Sequence, residues 1–188
     1  ALLDSFGTHL DTLMTSKDKL SKMDGAAADL CVIENEDEFS ENDIEAPAGA
    51  LFNITDQKTL YSKNANDERE IASITKIMTA LLAVESGKLQ DKVTVGKEIE
   101  SSPEGLESSA VLCGFEQGDK MMLSSLLSAA LIYSGNDAAI DIAIAVAGSQ
   151  EAFVDMMNQE SKELMTSHTH FANPTGLTQS KHYSSVYD

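Results

Sequence analysis

The 188 residues carry 13 basic and 31 acidic side chains, a net charge of -18, with 42% hydrophobic and 23% charged residues. That composition belongs to a globular chain, and the length suffices for one hydrophobic core without disulfide or metal staples. The acidic surplus and a single arginine, Arg69, exclude nucleic-acid backbones and anionic membrane surfaces as main partners, because both demand clustered Lys and Arg.

Leu3, Phe6, Leu10, Leu13, Met14 and Leu20 recur at spacings of three and four, which predicts an amphipathic helix within residues 1–30, fading at Asp24-Gly25-Ala26. The stretch from Glu34 to Glu45 follows with seven acids and no base, over a third of the net excess. It reads as a solvated linker; calcium binding is the sharper alternative, but no glycine stands at an EF-hand turn position. Beyond Pro47 the pattern changes. Ala48 to Thr55 is apolar and β-prone, Asp56-Gln57-Lys58 is a turn, and Leu60-Tyr61-Ser62 resumes, which predicts a β-hairpin. Ile71 to Glu85 reads as a helix with Ile74, Ile77, Met78, Leu81 and Val84 facing inward. Val93 and Val95 suggest a short strand. Leu123, Leu126, Leu127, Ala130 and Leu131 mark a second helix ending near Tyr133-Ser134-Gly135. Asp137 to Ala147 is Ala and Ile on nearly all sides, the signature of a buried helix. Ser149 caps a last helix carrying Phe153, Met156, Met157 and Leu164, and the residues from Phe171 onward are loop-like around an Asn173-Pro174-Thr175-Gly176 turn.

Two cysteines, Cys31 and Cys113, form no CxxC or Cys/His ligand pattern; free thiols are favoured over a disulfide. His168 and His170 stand at i, i+2 in a loop, a poor spacing for a zinc pair. Asp155 and Glu160 read as solvent-facing carboxylates, and the Met121-Met122 and Met156-Met157 pairs as core filling. The longest uncharged run, Met121 to Asn136, is 16 residues, short of the ~20 a spanning helix needs. No basic n-region of a signal peptide opens the chain.

Chemistry concentrates in two places. Ser-x-x-Lys occurs at Ser16/Lys19 and Ser73/Lys76. The first copy lies in a polar stretch. The second opens an apolar helix after a hairpin, where backbone N–H groups and the helix dipole favour charge developing on a serine oxygen. Lys76, one turn on, shares a stripe with Ser73, and in a partly dry pocket its neutral amine can accept the serine proton. Ser134-Gly135-Asn136 sits between two apolar helices; the bland reading is that Asn136 caps the second, and a Ser40/Asn42 copy in the acidic run is discounted.

Together these segments resemble the D-alanyl-D-alanine carboxypeptidases, the low-molecular-weight penicillin-binding proteins. The likeness is carried by Ile71-Ala72-Ser73-Ile74-Thr75-Lys76-Ile77-Met78-Thr79-Ala80-Leu81, by Tyr133-Ser134-Gly135-Asn136-Asp137-Ala138-Ala139, and by Thr169 to Leu177 with His182-Tyr183-Ser184-Ser185. It runs from about Ala48 to Asp188. The resemblance implies a β-lactamase/transpeptidase-like α/β (α+β) fold, its helical region inserted after the N-terminal hairpin. The residue pattern gives an N-terminal helical extension at 1–33 and an acidic linker at 34–46, and the resemblance makes 47–188 the N-terminal part of the catalytic domain.

The resemblance also implies roles. Ser73 attacks the D-Ala-D-Ala bond of peptidoglycan stem peptides, Lys76 takes its proton, Ser134 relays a proton to the leaving amine, and Asn136 binds the substrate amide. β-Lactams would acylate Ser73, no metal or cofactor is implied, and the address would be extracytoplasmic, in the bacterial cell envelope. The family's third motif, Lys-Thr-Gly, does not occur in these residues. The remaining sheet strands and that motif are therefore expected in a further C-terminal segment or second fragment. Two alternatives follow: a non-catalytic penicillin-recognising sensor or scaffold, and a class A-like β-lactamase, for which no Glu-x-x-Leu-Asn is found.

Overall fold

A computed structural model describes residues 44–56, 58–96 and 110–188. The helix predicted at the N-terminus, Ser16, Lys19, Cys31, Ser40, Asn42 and all but the end of the acidic stretch lie outside the described residues. The hairpin forms as the apolar run and the turn predict: β1 (Gly49–Asn53) pairs antiparallel with β2 (Lys58–Lys63), with a bulge between Leu51 and Phe52. Asn53 closes the turn, its side-chain carbonyl accepting from Asp56 N–H at 3.0 Å. A 3-10 turn over Ala72–Thr75 leads into α1 (Lys76–Glu85). The strand anticipated at Val93 is β3 (Lys92–Thr94). It pairs with β4 (Lys120–Met122), which its apolar pattern was too short to announce.

Three more helices follow: α2 (Leu123–Ile132), α3 (Asn136–Ala147) and α4 (Gln150–Glu163). The small side chains of α3 let α1, α2 and α4 all pack against it, and its first eight residues are buried without exception. Leu82, Leu126, Leu127, Ile142, Phe153, Met157 and Phe171 fill the core around it. Ser149 caps α4 as expected, accepting from Ala152 N–H at 3.1 Å. Among the described residues no helix is long and apolar enough to cross a membrane.

Several expectations are corrected. Ile74 and Ile77 do not face inward; they are 63% and 67% exposed, and the buried face of α1 carries Lys76, Thr79, Leu82 and Ala83. Leu131, Met156 and Leu164 are likewise exposed. Glu160 is half-buried, and burial with the nearby Glu85 and Glu163 carboxylates pushes its carboxyl up. Asn136 is not a cap: Gly135 occupies the N-cap position, and Asn136 is the first residue of the helix with its side chain engaged elsewhere. His168 and His170 turn their Nδ1 atoms to different partners, Ser167 Oγ and Lys181 O.

Residues 169–184 form a strap across the end of α1. An antiparallel bridge between His170 and Tyr183 closes it on itself, and one between Arg69 and Ser184 fastens it ahead of α1. Asn158 of α4 adds a clamp: its side chain donates to Phe171 O at 2.8 Å and accepts from Phe171 N–H at 2.9 Å.

Candidate active site

The four residues singled out in the sequence converge. Lys76 Nζ donates to Ser73 Oγ at 3.1 Å and to Asn136 Oδ1 at 2.8 Å, and Ser134 Oγ donates to Ser73 Oγ at 2.8 Å. Ser73 is exposed, whereas Lys76 is 2% exposed. Ser73 thus faces outward while the Lys76 side chain is held in the interior. A third partner of Lys76 comes from the strap: Nζ donates to Thr175 O at 2.7 Å.

This partner set suits both protonation states of the amine. As an ammonium, Lys76 has three protons for three acceptors. As a neutral amine it keeps two protons for Asn136 Oδ1 and Thr175 O, and its lone pair falls to the remaining neighbour, Ser73 Oγ. Burial lowers the Lys76 pKa from 10.5 to about 8. At pH 7 about one-tenth of the molecules then hold a neutral amine, about 300-fold more than for an ordinary lysine.

Two non-glycine residues at the site have left-handed backbones, Ala72 at φ 45° and Ser134 at φ 60°. Such a conformation costs of order 1–3 kcal/mol and persists only where neighbours impose it. Ala72 is imposed by the strap. Gly176, at φ +86°, lies so close that a β-carbon there would overlap the Ala72 carbonyl. Asn173 shapes the strap turn, its Oδ1 accepting from Thr175 N–H, Thr175 Oγ1 and Gly176 N–H. Thr79 Oγ1 donates to Pro174 O at 2.7 Å, one turn beyond Thr75.

Ser134 is imposed by a different device. Asp137, buried in the first turn of α3, accepts from Cys113 N–H at 3.0 Å, Gly114 N–H at 2.9 Å and Ala138 N–H at 2.9 Å. Asn136 N–H donates to Val111 O at 2.9 Å, and a β-carbon on Gly135 would overlap Cys113 Sγ. Residues 111–114 are thereby strapped to the Ser134 loop. Burial and the Asp137 carboxylate push the Cys113 thiol up to about 11, so it is an unreactive thiol at neutral pH; among the described residues it forms no disulfide.

The spacing arguments found the four polar residues but not Thr75, Thr79, Asp137, Thr175 or His182, which hold them. The turn signal at Asn173-Pro174-Thr175-Gly176 was the available clue, yet it gave a turn without a partner. Among the described residues, no three His, Cys, Asp or Glu side chains group to hold a metal ion.

A family model described as D-alanyl-D-alanine carboxypeptidase matches residues 35–188. The chain is 39% identical over 144 residues to D-alanyl-D-alanine carboxypeptidase DacF of Bacillus subtilis, covering 77% of this chain and 37% of that protein. It is similar in structure to the carboxypeptidase DacD of Francisella tularensis, with TM-score 0.69 and 27% identity over 84% of this chain and 37% of that one. Penicillin binding protein 6B of Escherichia coli gives TM-score 0.68 and 29% identity, over 84% of this chain and 51% of that one. The fold is that of the penicillin-binding transpeptidase-like proteins, and the chain spans about 37% of the length of the DacF relative.

Proposed function

The chain belongs to the D-alanyl-D-alanine carboxypeptidase family, and from that premise we propose that it carries the acylation machinery of a serine-type D-Ala-D-Ala carboxypeptidase. Residues 47–188 form this part, with 1–33 as an extension and 34–46 as a linker. The observation that carries the reading is the contact of Ser73 Oγ with both Lys76 Nζ and Ser134 Oγ, at 3.1 and 2.8 Å.

In this proposal the neutral Lys76 amine takes the Ser73 proton as Oγ attacks the carbonyl of the penultimate D-alanine. The Ser73 N–H, close to the N-terminus of α1, supports the developing oxyanion. Collapse of the tetrahedral intermediate breaks the peptide bond. Ser134 passes a proton to the leaving amine, D-alanine departs, and an ester remains on Ser73. Water then cleaves the ester and restores the serine. Asn136 has its Oδ1 committed to Lys76, so its Nδ2 donors are what it offers a substrate carbonyl. A β-lactam carries a strained amide in place of the scissile bond and acylates the same oxygen. The terminal carboxylate is bound by a Lys-Thr-Gly segment, which these 188 residues do not contain. Peptidoglycan stem peptides as substrate place the protein in the bacterial cell envelope.

A fluorescent penicillin tests this. Covalent labelling is expected in the wild type, absent in Ser73→Ala, and lost in Lys76→Ala at neutral pH. Labelling that survives Ser73→Ala sinks the assignment. Release of D-alanine from a D-Ala-D-Ala peptide separates a carboxypeptidase from a sensor that is only acylated.

A further inference from the structure

His182 is a buried titratable group, 4% exposed, that the acylation chemistry does not use. Its Nδ1 lies 3.0 Å from the Ala172 N–H, a group that can only donate, so Nδ1 accepts and the ring proton resides on Nε2. Nε2 lies 2.7 Å from Thr75 Oγ1, and Nε2–H therefore donates to the threonine. Thr75 is 1% exposed and stands between Ile74 and Lys76 in the nucleophile turn. The backbone around the ring is fixed as well: His182 N–H donates to Gln179 O at 3.1 Å, and Phe171 meets the ring edge-on at 6.0 Å.

We propose that His182 is a positioning residue whose neutral Nε2–H tautomer locks Thr75 to Ala172, and so holds the strap carbonyl of Thr175 against Lys76. The assignment rests on reading Ser73 and Lys76 as nucleophile and base, but the coupling is testable without turnover. Acid uncouples it. A second ring proton on Nδ1 would face the Ala172 N–H, donor against donor, and that bond is lost. Burial holds His182 below its ordinary range; His170 in the same strap acts in the same sense, and Glu70 opposes both. Lys76 is the charged neighbour on the Thr75 side, and Lys181 and Tyr183 flank the ring in sequence. The lock is therefore closed above the His182 titration and opens as the pH falls through it.

NMR on the full chain, labelled with 13C at lysine Cε and 15N at histidine, decides the matter. The expected result is an Nε2–H tautomer at neutral pH, and a Lys76 Cε trace with two steps. One step is the amine's own, near 8. The other coincides with the His182 ring titration, and it disappears in His182→Gln and Thr75→Val. An Nδ1–H tautomer, a wild-type Lys76 trace with no step at the His182 titration, or a second step that persists in His182→Gln overturns the proposal. The wild-type trace decides even if a variant misfolds. Penicillin labelling reads the other assignment separately: coupled titrations without labelling keep this lock and sink the acylation reading, and labelling with uncoupled titrations does the reverse. Where labelling occurs, the slope of its logarithmic rate against pH steepens from about one to about two below the His182 titration and stays near one in His182→Gln.

Discussion

The leading turn and the first turn of α1 reverse the sidedness of an ordinary amphipathic helix, which the second half, with Leu82 and Ala83 buried, keeps. The interior face carries Thr75, Lys76 and Thr79, all buried, while Ile74 and Ile77 point outward. On the outer side, Ile71, Ile74, Ile77, Met78, Leu81 and Leu164 line an apolar groove of about 620 Å³. The difference shows that burial here follows the supply of partners, not side-chain polarity. Each buried polar atom has a fixed group waiting: His182 for Thr75, Thr175 O and Asn136 for Lys76, Pro174 O for Thr79. A polar group with such a partner is inexpensive to desolvate, and without one it costs a few kcal/mol. The strap is what turns a hydrophilic stripe into an interior one.

The largest test of this contrast is Gly176→Ala. The new methyl overlaps the Ala72 carbonyl and must sit at φ +86°, so the strap lifts away from the inner face. A loss of about 2–4 kcal/mol in urea unfolding is expected, together with loss of penicillin labelling. Unchanged stability would show that the strap does not bear on the turn. Next is the pH dependence set by Lys76. Labelling rates should rise about tenfold per pH unit up to about 8 and then level off, as the proposed role of the neutral amine requires. The same depressed pKa makes folding stability grow as the pH climbs from about 8 to the ordinary lysine value of 10.5, and that contribution is lost as the pH falls back through about 8. Thr79→Val keeps the shape but leaves the Pro174 carbonyl unpaired, and calorimetry should show a loss of about 1–3 kcal/mol. The smallest effect belongs to the outer face: Ile77→Gln should change stability by no more than about 0.5 kcal/mol. A larger loss there would mean that the groove is filled in solution.

Much of the fold was legible because it rests on local rules. The β-prone run and turn of the β1–β2 hairpin, the Ala-rich run of α3 and the Ser149 cap are each written in short local stretches. The motif spacing also brought Ser73, Lys76, Ser134 and Asn136 to one place. What failed is the sidedness of α1. Apolar periodicity marks a face but carries no sign, and the inward assignment of Ile74 and Ile77 assumed that apolar meant buried. The sign is set by Thr175, Pro174 and His182, about a hundred positions away, through two backbone carbonyls and one imidazole. Backbone acceptors leave no trace in residue identity. The same holds for Asp137, whose carboxylate serves three main-chain N–H groups and reads in sequence as a helix-start acid.

The distance between the strap and its targets has a consequence for biosynthesis. Thr75 and His182 are 107 positions apart, Lys76 and Thr175 are 99, and Thr79 and Pro174 are 95. A nascent chain that has emerged through α4 already holds all four motif residues, but neither Thr175 nor His182. Lys76 then lacks the Thr175 carbonyl among its acceptors, and Gly176 is not yet packed against Ala72. Contacts of such long range form late. Ser73 and Lys76 are thus synthesised well before the strap groups that complete their surroundings.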